Sequence, residues 1–266
     1  MTEIALAVGF TLFLWWFSTG VIIYLDGLPQ RTFVTTMRWT TAVLVAALWG
    51  LVHTRDDVSA SGAYCAFTCA LLVWAWQEVA FLLGMVTGPR REACPPQATG
   101  WRRAHLALQT VLYHEFALVV LALTVLACVG PGSNRVGVWT YALLWAMRQS
   151  AKLNIFLGVR NLGESLLPPH LAYLSSYFRR RAMNPLFPFS ALLIGAATVL
   201  AWGPLLDSGM PATGEGAARV LLGTLLALGV LEHVLLVLPL PSDALWRWGL
   251  SSHRAKAAVV VRGDGG

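Results

Sequence analysis

Charge is scarce in this sequence. Only 12% of the 266 residues are Asp, Glu, Lys or Arg, whereas a soluble domain carries about 25%, and 57% are hydrophobic. Water is therefore not the main solvent of this chain. Cysteine is also sparse, with Cys65 and Cys69 four apart, Cys94 and Cys128 elsewhere, and no CxxC pair among them. That pattern excludes a disulfide framework and a thiol redox motif, and all four read as packing residues. No phosphate-binding glycine loop, zinc signature, catalytic triad, lipidation motif or internal repeat is present.

What the sequence has instead is long apolar runs. A helix needs about 20 apolar residues to cross the hydrocarbon core, and seven stretches qualify: 4–25, 37–53, 63–86, 104–128, 136–158, 186–205 and 217–238. Turn signals stand between them at Asp26-Gly27-Leu28-Pro29, Gly88-Pro89, Gly130-Pro131-Gly132, Asn184-Pro185 and Pro239-Leu240-Pro241. The expected fold class is an all-α integral membrane protein, a bundle of about seven transmembrane helices forming one domain over 1–241. The first run follows an acidic Glu3 and lacks a basic leader and a clear cleavage site, so it is expected to stay as a helix.

Basic residues set the orientation. Arg31, Arg38, Arg90, Arg91, Arg102, Arg103, Arg160, Arg179, Arg180, Arg181, Arg247, Arg254, Lys256 and Arg262 fall in one alternating set of loops. These are 14 of the 19 Lys and Arg, and the opposite set holds only Arg55, Arg135 and Arg219. The positive-inside rule places the N-terminus in the periplasm and the C-terminus in the cytoplasm. The net charge of +6 is then a topology signal, and nucleic acid is not an expected partner. Trp15, Trp16, Trp39, Trp101, Trp139, Trp202, Trp246 and Trp248 lie near run ends, where an amphipathic ring suits the headgroup zone.

The longest connection, about 159–184, holds His170, Leu171, Leu174, Tyr177 and Phe178 at helical spacing after Pro168-Pro169. It predicts an amphipathic helix lying on the cytoplasmic surface, whose basic end, Arg179, Arg180 and Arg181, contacts anionic lipid or a partner protein. The small, polar tail 242–266 is expected to be cytoplasmic and largely disordered. Gly84 and Gly88 form a Gly-xxx-Gly step that points to close helix packing.

The informative residues are the polar ones inside the runs: Glu78, His114, Glu115, Arg148, Lys152, Asn154, Glu232 and His233. An ionised side chain at mid-membrane costs about 2.5–3.5 kcal/mol, so these groups are expected to turn inward as one polar cluster. Runs 3, 4, 5 and 7 supply the cluster, which leaves runs 1, 2 and 6 peripheral. Its chemistry stays open at this point. Glu78, Glu115 and Glu232 against Arg148 and Lys152 make a nearly balanced ion-pair network. Glu78, His114, Glu115, Glu232 and His233 are also candidate ligands for a di-metal centre, although the Glu-x-x-His spacing of such sites is missing. His114 or His233 as an axial ligand would suit a tetrapyrrole such as bacteriochlorophyll, and a solute or proton path is the remaining reading.

Several longer segments carry a resemblance. Trp76-Gln77-Glu78 through Thr87-Gly88-Pro89-Arg90-Arg91, Leu112 to Glu115, Ser150 to Asn161, Tyr177 to Arg181 with Met183-Asn184-Pro185-Leu186-Phe187-Pro188, and Leu231-Glu232-His233 are similar to the PuhE-type photosynthetic complex assembly proteins of purple phototrophic bacteria. The resemblance covers most of the chain. It implies an inner-membrane protein encoded with reaction-centre genes, needed for normal levels of the photosynthetic apparatus or of bacteriochlorophyll. Its implied partners are reaction-centre or light-harvesting subunits or pigment-synthesis proteins. It implies no catalytic residue, so two functions remain: an assembly factor, or a membrane-embedded metal-dependent enzyme acting on a tetrapyrrole or isoprenoid.

Overall fold

The computed structural model describes residues 2–208, 214–240 and 242–253. Seven long helices dominate it: α1 (Thr2–Asp26), α2 (Phe33–His53), α3 (Ala60–Leu82), α4 (Gly100–Val129), α5 (Val136–Leu157), α6 (Leu186–Ser208) and α7 (Gly214–Val237). There is no strand among the described residues beyond an isolated bridge between Val159 and Arg180. All of these helices but α5 are long and apolar enough to cross a membrane, as in a multi-pass membrane protein. Only α5, with Arg148, Gln149, Lys152 and Asn154 in its second half, is too polar for that standard.

α3 is the hub, packed against α1, α2, α4, α5 and α7. Small residues make this possible, since Ala63, Ala66 and Ala70 are buried on it and let neighbouring backbones approach. The same device recurs at the partners. A Cβ on Gly50 of α2 would stand 2.5 Å from Cys69 Sγ, and one on Gly137 of α5 would meet Leu51 at 2.5 Å. α6 is the opposite case. It rests mainly on α7 and turns Phe189, Leu192, Leu193, Val199 and Leu200 outward, each at least 70% exposed. In water that face would be a liability, but against lipid tails it costs nothing.

Two asparagines join the helices. Asn134 donates to the carbonyls of Thr54 (3.1 Å), Asp57 (3.0 Å) and Gly62 (3.1 Å), and its Oδ1 accepts from Val136 N at 3.2 Å. The starts of α3 and α5 are thus tied to the end of α2 by one side chain. Asn184 does the same on the other face, donating to Asn154 O, Asn154 Oδ1 and Gly158 O while accepting from the amides of Leu186 and Phe187 at the head of α6.

The segment after α3 folds back onto α4. His114 N donates to Thr87 O at 2.9 Å and Arg90 N to Gln109 O at 3.3 Å, which lays residues 87–90 along the backbone of α4. Gly88 sits at that contact, where a Cβ would stand 2.1 Å from Gln109 O and 2.6 Å from the Thr110 carbonyl carbon. Backbone cannot yield as a side chain would. Gly88→Ala should therefore cost about 1–3 kcal/mol, as overpacking does, read as a lower unfolding midpoint in detergent. Ala substitution at Gly195 within α6, where nothing lies within 4 Å, is the control and should leave the midpoint unlowered, raising it slightly through helix propensity.

Two expectations are corrected. Residues Pro169–Tyr177 form a 3-10 helix, and its three-residue turn brings Leu171, Leu174 and Tyr177 into line, all buried. Leu171 and Leu174 pack on Phe81 with Val111, Leu167 and Phe178, so the stripe faces the bundle and not the bilayer surface. The tail is also partly built. Ser242–Trp246 is a 3-10 helix, and the segment to His253 lies on α1. Trp246 Nε1 donates to Trp16 O (3.1 Å), Trp16 Nε1 donates to Leu245 O (2.9 Å), and His253 meets Asp26 at 2.6 Å. Trp246 is thereby a buried clamp, while Trp39, Trp101 and Trp139 are exposed. Residues 254–266 of the expected tail lie outside the described residues.

Candidate functional site: a charged cavity inside the bundle

The helix ends fix which side chains meet. Glu78 comes one turn before the end of α3, Arg148 and Lys152 lie one turn apart on α5, Glu115 is midway along α4, and Glu232 is near the end of α7. Arg148 Nη2 bonds Glu78 Oε2 at 3.2 Å, and Gln77 Nε2 donates to the other oxygen at 3.3 Å. Lys152 Nζ bonds Glu115 Oε1 at 2.7 Å while Gln149 donates to Glu115 Oε2. These two pairs join α3 and α4 to α5. Their partial burial explains the pairing, since each ion drawn from water needs its counterion and further hydrogen bonds.

Glu232 is held differently. Its Oε1 accepts from Trp15 Nε1 of α1 at 2.6 Å, and among the described residues no cation lies within ion-pairing distance of it. The expectation that α1 is peripheral is corrected here. Trp15 reads as a headgroup anchor by position, yet it packs edge-on against Trp246 (5.3 Å between centroids) and reaches the cluster.

All five charged groups line one half-open cavity of about 840 Å³, together with Trp15, Gln149, Trp246 and an apolar wall that includes Trp74, Leu144, Met147, Leu225 and Leu228. The volume falls in the range of about 300–1,000 Å³ typical of small-molecule sites. Its rim carries Asn161, Leu162, Leu166, Leu174 and Tyr177 from the 159–184 connection. Arg103 locks that rim by donating to Phe156 O at 3.0 Å and to Tyr177 O, with its guanidinium 3.9 Å over the Phe156 ring.

The three remaining expected residues lie outside the cavity lining. His233 is fully buried, its Nδ1–H donating to Gly229 O (2.8 Å) and its Nε2 accepting from Ser150 Oγ (2.8 Å). Asn154 donates to Ser150 O and Ser190 Oγ and accepts from Asn184. They form a second polar cluster that ties α5 to α6 and α7. His114 is also fully buried, its ring 4.5 Å from that of Phe81. Phe81 lines the cavity and His114 does not.

This geometry does not suit the two ligand-bearing readings. Among the described residues no three His, Cys, Asp or Glu side chains converge where a metal ion would sit. Glu78, Glu115 and Glu232 each answer a different partner. An axially ligated tetrapyrrole needs an imidazole nitrogen at the cavity wall, and neither His114 nor His233 presents one there. The arrangement suits recognition of a polar group in an apolar chamber. Trp15, Gln149 and Trp246 are the residues that sequence reasoning missed. Gln149 was accessible as a polar neighbour of Arg148 inside a run, whereas the two tryptophans carry no mark that separates them from anchors.

Within the 159–184 connection, Arg180 bonds Glu164 at 2.9 Å, Arg179 O accepts from Val159 N at 3.2 Å, and the Arg181 side chain lies over Gly158. Outside the spans, Arg90 Nε donates to the Tyr177 hydroxyl at 2.7 Å, and this bond raises its pKa above the ordinary guanidinium value.

Comparison with known proteins places the chain in a family. The chain is 39% identical over 257 residues to a protein of Rhodobacter capsulatus named "Uncharacterized 30.4 kDa protein in puhA 5'region", an alignment covering 94% of this chain and 92% of that relative. No solved structure matches the chain. The sequence model of the family described as "Protein of unknown function (DUF3623)" matches residues 1–257, and the chain belongs to that family.

Proposed function

We propose that this protein is an inner-membrane assembly factor for the bacterial photosynthetic apparatus, and that its charged cavity is the working part. It spans the membrane seven times, with α5 crossing as the polar inner helix and the N-terminus in the periplasm. The observation that carries the reading is the cavity itself: five ionisable groups facing one chamber of about 840 Å³ inside an apolar bundle. A purely structural ion-pair network would be expected to close on itself. The relative's place in the puhA 5' region supports the photosynthetic process. So does the PuhE-type resemblance, whose segments hold Glu78, Glu115, Lys152 and Glu232.

In this role the cavity receives a small amphipathic molecule of the pigment supply, and the basic cytoplasmic surface around Arg179, Arg180 and Arg181 rests on anionic lipid beside a reaction-centre, light-harvesting or pigment-synthesis partner. Metal-dependent catalysis is the weaker reading, because the candidate ligands do not gather. The test is deletion of the gene in a phototrophic host. Near-infrared absorbance of the membranes should fall several-fold and return with the wild-type gene. Unchanged complexes in the deletion strain would refute the proposal.

A further inference from the structure

Glu232 is the cavity's uncommitted charge. Three carboxylates and two cations line the chamber, and both cations are already bonded, Arg148 to Glu78 and Lys152 to Glu115. Glu232 has only the Trp15 donor, on one of its two oxygens. A carboxyl group facing an apolar chamber is stabilised by whatever brings it a donor or a positive charge, and an anion entering there would meet three acids against two bases that are already bonded.

Apolar residues continue on the same helices beyond the charged layer. Leu71 and Trp74 stand one to two turns before Glu78, Leu144 one turn before Arg148, and Leu225 and Leu228 one to two turns before Glu232, all lining the cavity. Two helical turns span about 11 Å. The chamber therefore offers a polar acceptor and, next to it, a slot for a chain.

We infer that the cavity binds an elongated amphiphile whose cationic or hydroxyl head group donates to Glu232 and whose apolar body lies along Trp74, Leu144, Leu225 and Leu228. This rests on the cavity being the working part, and it adds the class of ligand. An amine, alcohol or zwitterionic ammonium head fits, and a head of net negative charge does not. The head could belong to a single-chain amphiphile or to the ammonium of a bilayer lipid.

The experiment is calorimetric titration of the purified full-length protein in dodecyl maltoside with hexadecylamine, hexadecan-1-ol and hexadecanoate, which share one chain length. Hexadecylamine should bind tightest and exceed hexadecanoate by about tenfold or more, in line with an uncompensated charge in an apolar medium. Glu232→Gln should remove that preference while leaving hexadecanol bound. Equal binding of amine and acid, or a preference that survives Glu232→Gln, would overturn the inference. Should Glu232→Gln fail to fold, Trp15→Phe keeps the carboxylate and removes its donor. The preference for amine should then grow, and a shrinking preference would overturn the inference instead.

Dioleoyl phosphatidylethanolamine run beside hexadecylamine identifies the source of the head group, since both satisfy the inference and the tighter one names it. Failure here is separable from failure of the assembly role. A Glu232→Gln strain with normal photosynthetic complexes but lost amine preference would count against the role and leave the ligand class standing. Absent amine preference together with a deletion strain that loses its complexes would do the reverse.

Discussion

Glu115→Ala should lower the unfolding midpoint far more than the double change Glu115→Met with Lys152→Met. The single substitution leaves the Lys152 ammonium inside the bundle without its carboxylate, 23% exposed and with no second acceptor among its bonded partners. It also removes the acceptor of Gln149. An unpaired cation at membrane depth costs about 3 kcal/mol, which corresponds to a fall of about 6–12 °C in a chain of this size. The double methionine replacement removes both charges and keeps the side-chain bulk. Buried ion pairs exchanged for apolar residues of similar volume are often neutral for stability, so that variant should unfold within a few degrees of wild type. Differential scanning fluorimetry in detergent reads both. A single mutant as stable as wild type would mean that the pair is wet and contributes nothing.

Asn184→Ala should be the most damaging substitution on the face joining α5 to α6. One side chain accepts from the Leu186 and Phe187 amides and donates to two carbonyls and the Asn154 amide oxygen, and it is 2% exposed. Each buried group left without a partner costs about 1–3 kcal/mol, so the folded yield should fall below about a tenth of wild type. Asn184→Asp divides the effect, because it keeps the acceptor for the α6 amides and loses the donor to α5. It should fall between the two, measured as monodisperse protein recovered by size exclusion. Recovery of Asn184→Ala at the wild-type level would contradict this role.

The apolar runs were legible because lipid imposes a length on a crossing helix, and the seven long helices of the described residues lie where those runs do, six of them apolar enough to cross. Their edges shift where sequence polarity misleads. α4 begins at Gly100 and not Ala104, because Arg102 and Arg103 continue the helix beyond the apolar core and Arg103 has carbonyls to bind. The identity of the charged cavity residues was likewise legible, since an ion inside a membrane has few places to go. Which acid meets which base was not, because that depends on helix rotation. The histidines show the limit more sharply. Burial was forced for both, but only coordinates reveal that His233 spends both nitrogens between α5 and α7 and that His114 lies behind Phe81. Residues 242–253 of the tail were misread because a short polar segment with two tryptophans has the composition of a disordered one, and its partner, Gly20 of α1 beneath Trp248, is more than 200 positions away.

The measurement that tests the central claim most directly fills the cavity without touching its charges. Ala75 lines the chamber on α3, half-buried and free of hydrogen-bonding duty. Ala75→Phe and, as a control, Ala75→Ser are introduced into a deletion strain, and membranes are assayed for near-infrared absorbance of the photosynthetic complexes beside the amount of this protein. The account predicts normal protein levels for both variants, with complexes restored by Ala75→Ser and lost with Ala75→Phe. Complexes fully restored by a stable Ala75→Phe protein would contradict it.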